Sequence, residues 1–417
     1  MVEDEKPPNM FYIIPDLLEE IFIRLPSKSI LKFRTVSKQW RTILESKSFL
    51  ERRMNNTQRH WKILAAYDSN RTSPFVDNEE IVYLHSDKDA AGRPSLSCDG
   101  LLCFPEQDWI IVVNPLTGQL LRFPSRLDDT VSSTLDTDSV RVAGAGMALF
   151  PGYRAMGFGR DEVTGLYKVV RMCFHPVEED DECELLDVAT GEWRTLSPPP
   201  CQVEVVRKSV CVNGSIYWLT VDQDYRILAL NLHTQEFHYV SVPDTPVTWF
   251  RIQILNLDDR LAIAKATGGH PGWKLKIWSM DKEGWSKTYS ISLAALKISP
   301  LDLTWFTPLT VCELGNVVFC DNHKRLFKYY TESGEIRCLS SDICVISPYL
   351  ENLVPLQSES VKTSRCRLFP EQGSKIFKWS SFWIPDLAFA SLVIVGYICL
   401  RSLAVPCSVS TSFRNLN

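Results

Sequence analysis

The sequence predicts a small all-α unit followed by an all-β domain, and three observations carry that reading. Between Ile13 and Phe49 large apolar residues recur at helical spacing, interrupted at Pro26 and Ser37. Past residue 60 the texture changes to short runs rich in β-branched and aromatic residues, broken by Gly, Asn and Asp. Those runs align with one another as a repeat, which a single helical or mixed domain would not show.

In the first element Pro15 suits the first helical position, where its missing N–H costs nothing. Asp16, Glu19 and Glu20 place negative charge near the positive end of the helix dipole, and Pro26 stops the helix. Leu17, Leu18, Ile21, Phe22 and Leu25 make one broad apolar face. Ser27 or Ser29 can cap a second helix carrying Ile30, Leu31, Phe33 and Val36, and Ser37 a third carrying Trp40, Ile43 and Leu44. Three short helices cannot bury so many large side chains by themselves. Part of that surface is therefore expected to face another protein.

The strands come in paired hairpins. SCDGLLCF precedes VNPLTGQLLRFP, VCVNGSIYWL precedes LALNLHTQEFHYVSVP, and VCELGNVVFC precedes FKYYTESGEIRCL. Their first turns lie at Gly100, Gly214 and Gly315 and their second at Gly118, Gln235 and Gly334, so the two turns of a copy are 18, 21 and 19 residues apart. Looser copies turn near Gly165 and Gly191 and near Asp259 and Gly284. Four strands in every ~45–50 residues is the period of a β-propeller blade. Five repeats are visible. Runs at Trp61 to Tyr67, Ile81 to His85 and Ile343 to Ile346 remain, and pairing the two chain ends could close a sixth; six blades are expected, with five or seven as alternatives. Closure leaves no exposed sheet edge, which is the physical reason to expect a ring.

The 417 residues fit one small and one large domain, with apolar and charged fractions of 45% and 23% that are ordinary for a globular protein. A net charge of −5 gives no overall attraction to nucleic acid. The acidic start MVEDEKPPNM lacks the basic and apolar run of a secretory signal, which implies the cytoplasm or nucleus. The thirteen cysteines are scattered without a CxxC pair, so reduced thiols are expected instead of disulfides or a metal site.

Ile14-Pro15-Asp16, Leu17 to Ile21, Arg24-Leu25-Pro26, Leu31-Lys32-Phe33-Arg34 and Val36-Ser37-Lys38-Gln39-Trp40 stand in the order and spacing that resemble an F-box. Ile14 stands where Leu is commoner, a volume-conserving change. The resemblance implies binding to the Skp-type adaptor of a cullin-RING ubiquitin ligase, through Ile14, Pro15, Leu17, Ile21, Leu25, Pro26, Phe33, Val36 and Trp40. The β region is similar to the F-box-associated, kelch-like domains of a large plant family. Cys98 to Leu102, Asn114 to Gly118, Gly157 to Asp161, Asn213 to Trp218 and Tyr349 to Leu356 carry that likeness. It implies a propeller that recruits an unknown protein substrate for ubiquitination, with no catalytic residue and no cofactor of its own. The expected divisions are a disordered N-terminus over residues 1–10, the F-box over 11–50, a polar connector over 51–60, the propeller over 61–356 and a tail over 357–417.

Residues 24–53 hold nine Lys and Arg against two acids, which suits a three-helix DNA-binding module, but Trp40, Ile43 and Leu44 leave the third helix few base-reading side chains. No nucleic-acid partner is expected. The alternative from another class is a propeller enzyme, or scaffold, whose helices pack on its own β domain. Gly144 to Leu149 lacks the third glycine of a dinucleotide loop, the seven histidines are dispersed, and the acidic run Glu178 to Glu182 reads as a solvated loop. In the tail, the apolar segment 383–405 has only Asp386 and Arg401 as charges; its uncharged core of 14 residues favours a packed or disordered appendage over a membrane anchor.

Overall fold

The computed structural model describes residues 14–56, 61–68, 81–86, 95–125, 150, 154–175, 181–221, 226–243, 252–267, 272–296, 304–341, 343–359, 361, 364 and 365. The helices and the strands belong to separate compact units, the second covering Gln58–Ser380.

Four helices form the first unit where three were expected: α1 (Pro15–Ile23), α2 (Ser27–Phe33), α3 (Lys38–Glu45) and α4 (Lys47–Asn56). α1 begins with Pro15, and the main-chain oxygen of Ile14 accepts from the N–H groups of Leu17 and Leu18. The residue before α2 is Pro26, with no side-chain cap, because Ser27 and Ser29 are buried inside the helix instead. Ser37 does cap α3, its Oγ accepting from Trp40 N–H at 3.1 Å. The Ser46 hydroxyl performs the same service for α4, accepting from Phe49 N–H at 3.3 Å. α4 runs through the first six residues of the segment read as a connector. Phe49 and Leu50 are the reason, for both are buried with Leu18, Phe22, Leu25, Ile30, Phe33 and Leu44.

In the second unit β1 (Lys62–Asp68) and β2 (Ile81–Ser86) come first. The first blade is β3 (Leu96–Cys98), β4 (Leu101–Pro105), β5 (Trp109–Asn114) and β6 (Gln119–Pro124). The second is β7 (Ala155–Arg160), β8 (Tyr167–Cys173), β9 (Glu182–Asp187) and β10 (Trp193–Leu196); the third is β11 (Val210–Val212), β12 (Ser215–Leu219), β13 (Ile227–Asn231) and β14 (Phe237–Val240). The fourth is β15 (Ile252–Leu257), β16 (Arg260–Thr267), β17 (Lys274–Asp281) and β18 (Gly284–Ser292), and the fifth is β19 (Phe306–Val311), β20 (Val317–Asp321), β21 (Leu326–Tyr329) and β22 (Ile336–Ser340). Last come β23 (Cys344–Tyr349) and β24 (Ser364–Arg365). Each blade is antiparallel and runs outward in chain order, so the five repeats read from the sequence are the five blades. All ten residues marked as their turns adopt left-handed backbone.

The chain ends meet as expected. β23 pairs antiparallel with β1, register Lys62↔Tyr349 and Ala66↔Cys344, and β2 adds to β1 in parallel. This sheet has three strands, so five complete blades are present among the described residues, not six. The innermost strands touch in sequence, β3 on β7, β7 on β11, β11 on β15, β15 on β19, β19 on β23 and β23 on β3. The ring is closed.

In such blades the turns between first and second and between third and fourth strands share one end, and every other link joins at the opposite end. The turn end is bound by the segment after β23. Asn352 Nδ2 donates to the Asp99 oxygen at 2.8 Å and to the Tyr167 hydroxyl at 3.0 Å, while Asn114 Nδ2 donates to the oxygens of Asn352 and Val354 at 3.0 and 3.2 Å. The tail then continues onto the first blade, where β24 pairs with β6, register Ser364↔Leu120. The apolar segment 383–405 and the loop Gly144 to Leu149 lie outside the described residues. No helix among the described residues is long and apolar enough to cross a membrane.

Neighbouring blades are stitched at the rim as well. Trp193 Nε1 on β10 donates to the Pro124 oxygen at 3.1 Å, and Trp285 Nε1 on β18 to the Ser241 oxygen at 2.6 Å. Each bond joins an outer strand to the end of the preceding blade's outer strand. Arg171 lies against the Trp193 ring at 4.4 Å and donates to the Ser125 oxygen at 2.5 Å and to Glu184 Oε2 at 2.9 Å through Nε.

Candidate adaptor-binding surface

The structure sorts the nine residues expected to face an adaptor into two groups. Leu25 and Phe33 are buried within the helical unit, which removes them from the candidate surface. The reason is helical phase: Leu18, Phe22 and Leu25 stand at i, i+4 and i+7, so the broad apolar face of α1 splits into an inner and an outer stripe. The outer stripe is Ile14, Leu17 and Ile21. Ile14 is 50% exposed and Leu17 and Ile21 are half-buried. Pro15 and Pro26 are exposed, and Val36, between α2 and α3, is 59% exposed.

Trp40 connects the two groups. Its ring packs edge-on against Phe22 at 4.9 Å and Phe33 at 5.4 Å between centroids, and part of it stays accessible. The inner rings thereby fix the position of a half-exposed one.

α4 supplies what the sequence reading lacked. Arg52 pairs with Glu19 at 3.0 Å and also with Glu20, while Arg24 reaches Glu20 at 2.9 Å. Hydrogen bonds from Arg52 and then Arg24 hold the Glu20 carboxyl below its ordinary range. Arg53 donates to the Ile23 oxygen at 2.8 Å and to Ser27 Oγ at 3.1 Å, meeting a carbonyl left open at the end of α1. Arg24, Arg52 and Arg53, all among the basic residues that suggested nucleic acid, are thus engaged within the unit, and Arg41 donates to the Arg34 oxygen at 3.1 Å. Arg53→Ala should lower the stability of the helical unit by about 1–3 kcal/mol. In a urea titration the helical transition should move to lower denaturant and the β transition stay where it is; coincident movement of both would contradict this assignment.

Asp161 is buried, with Oδ2 accepting from Lys168 Nζ at 2.8 Å and Oδ1 accepting from Val163 and Thr164 N–H at 3.0 and 3.3 Å. Burial alone would raise this acid; the hydrogen bonds from Lys168, Thr164 and Val163 outweigh it and keep the carboxylate well below its usual range. Lys168 Nζ also donates to the Leu232 oxygen at 2.6 Å. The pair ties the second blade to the third. His233, half-exposed beside it, reaches Asp161 Oδ2 at 3.4 Å. Six of the nine cysteines among the described residues are buried, and burial raises the thiols of Cys103 and Cys320, the latter to about 12. In the acidic run, Asp181 accepts from His175 N–H at 3.1 Å and Glu182 begins β9, while its preceding residues lie outside the described ones.

Comparison with known proteins agrees with this geometry. Residues 13–52 match the F-box domain and residues 54–335 the F-box associated beta propeller domain. An F-box/LRR-repeat protein of Arabidopsis thaliana is 51% identical, covering 96% of this chain and 100% of that protein. An Arabidopsis thaliana F-box/kelch-repeat protein is 48% identical over the same shares. Among solved structures, the N-terminal domain of Nup159 is 14% identical and covers 62% of this chain and 63% of its own, with a TM-score of 0.27, too slight a likeness to argue from.

Proposed function

Because this chain belongs to the F-box proteins that carry an F-box-associated β-propeller, we propose that it is the substrate-recognition subunit of a Skp-cullin-F-box ubiquitin ligase. The observation that carries the reading is the exposure of Ile14, Pro15, Pro26 and Val36 on a unit whose own core is already filled by Phe22, Ile30, Leu44 and Phe49. Apolar side chains left over after a core is complete are suited to a partner surface. The helices hold the adaptor, and through it the cullin-RING assembly; the propeller holds a protein target. No bond is made by this chain. Its contribution is effective concentration, bringing target lysines near a ubiquitin-conjugating enzyme. The sheet of β1, β2 and β23 serves as the sixth blade, supported by the contacts of β23 with β3 on one side and β19 on the other. The cytoplasm and nucleus are the fitting compartments.

Retention of the full-length chain on an immobilised Skp-type adaptor is the expected result. A chain that melts cooperatively but is not retained would leave the second reading, a propeller whose helices serve its own β domain.

A further inference from the structure

The cations of the helical unit are divided unevenly over its four helices. Residues 15–24 and 47–56, which contain α1 and α4, hold four acids and four bases. Most of these pair with one another: Arg24 with Glu20, Arg52 with Glu19 and Glu20, and Lys47 with Glu51 at 3.6 Å. Residues 27–45, which contain α2 and α3, hold five bases against the single acid Glu45. Of those bases Lys28, Lys38 and Arg41 are exposed, with no carboxylate in ion-pair range among the described residues. The surplus positive charge of the unit thus lies on one pair of helices.

Two of these cations work against the fold. Lys28 is the second residue of α2 and Lys38 the first of α3, so both stand at the positive end of a helix dipole. Neither helix has an acid in its first turn, whereas α1 has Asp16 there. An acid would stabilise each position and a lysine disfavours it. The same departure from a local rule in two successive helices points to a use outside the fold. Both lysines are also placed alike, Lys28 two residues after the exposed Pro26 and Lys38 two residues after Val36. Arg41 joins the second group, its Nε held by the Arg34 oxygen at the end of α2.

We propose that the α2–α3 side of the helical unit docks on an acidic surface of the adaptor, with Lys28, Lys38 and Arg41 opposite its carboxylates and Pro26 and Val36 in apolar contact among them. This rests on the helical unit being the adaptor-binding arm. Exposed ion pairs add little to affinity but steer the encounter, so the apolar residues hold the adaptor and the cations decide how fast and which way round it lands. The phosphates of a nucleic acid would match the charge but leave Pro26 and Val36 without an apolar partner.

The test measures association of the full-length chain with an immobilised Skp-type adaptor at about 0.1 M and about 1 M salt, between which the screening length falls from about 10 Å to about 3 Å. The wild-type association rate should fall about tenfold or more across that range. The chain carrying Lys28→Glu and Lys38→Glu should associate about tenfold more slowly than wild type at the lower salt, and its rate should depend little on salt. Its helical unit should melt at or above the wild-type temperature, since each glutamate then faces the dipole favourably, which separates slow association from unfolding. Lys28→Gln with Lys38→Gln should fall between the two chains. Lys47→Glu, a reversal on α4, is the control and should stay within about threefold of the wild-type rate. Equal salt dependence in wild type and the double reversal, or equal slowing by Lys47→Glu, overturns the acidic docking face. So does salt-sensitive retention of a duplex DNA or RNA oligonucleotide that the double reversal loses while its adaptor association keeps the wild-type rate. Wild-type chain captured by the adaptor with no salt effect overturns this face alone; wild-type chain that is not captured overturns the ligase reading beneath it.

Discussion

Replacing Ile14 and Pro15 together by alanine is expected to abolish capture by a Skp-type adaptor while leaving the propeller's melting transition in place. Both side chains are exposed, so their removal opens no cavity in the helical core. The bonds that start α1 are made by the main-chain oxygen of Ile14, which alanine retains. The cost therefore falls on the interface, where truncating an anchor residue commonly costs ~2 kcal/mol or more, and two such losses reach a several-hundredfold drop in affinity. Leu25→Ala and Phe33→Ala should behave differently. They excavate the core of the unit, and adaptor binding should fall together with helical stability. Unchanged affinity in the Ile14→Ala, Pro15→Ala chain would remove the outer stripe of α1 from the interface and the ligase reading with it.

Gly100→Ala should be among the most damaging single substitutions in the propeller. Gly100 adopts φ +78°, and a Cβ placed there would lie 1.9 Å from the main-chain oxygen of Leu350. Main chain cannot rotate out of the way as a side chain can. Leu350 would have to retreat, drawing with it Asn352 and the bonds that Asn352 and Asn114 make at the turn end. A loss above about 4 kcal/mol is expected, enough to leave much of the protein unfolded or insoluble. Gly118→Ala is the internal control, since φ there is +69° with nothing within 4 Å of the added carbon. It should cost only the left-handed strain, about 1–2 kcal/mol. Similar melting temperatures for the two variants would show that the close approach at Gly100 is not what fastens the ring.

The two variants also mark what the amino-acid sequence discloses. The blades were legible because an up-and-down hairpin is local: Gly100, Gly214 and Gly315 each sit between strands that pair directly, so turn chemistry and alternation announce them without knowledge of the rest. The capping serine of α3 was legible for the same reason. α4 was missed because its composition is polar and its attachment, Arg52 and Arg53 reaching back to α1, is tertiary. The assignment of Leu25 and Phe33 to the adaptor erred by phase, since a face five residues wide cannot be divided into inner and outer stripes until the neighbouring helices are placed. β24 is two residues long and has no periodicity to detect.

The joining of β1 to β23 also sets an order of manufacture. Lys62 pairs with Glu351, 289 residues further on, so a ribosome adding ~5–20 residues per second leaves β1 without its partner for roughly 15–60 s. The helical unit has emerged and can be complete well before that interval ends. Throughout it the chain owns a finished helical unit and an open sheet edge, which is the state in which strands recruit wrong neighbours. On the function proposed above, a message truncated between the helical unit and the Asn352 segment would make that state permanent: a chain able to occupy the adaptor while its ring stays open, and so to compete with every intact copy.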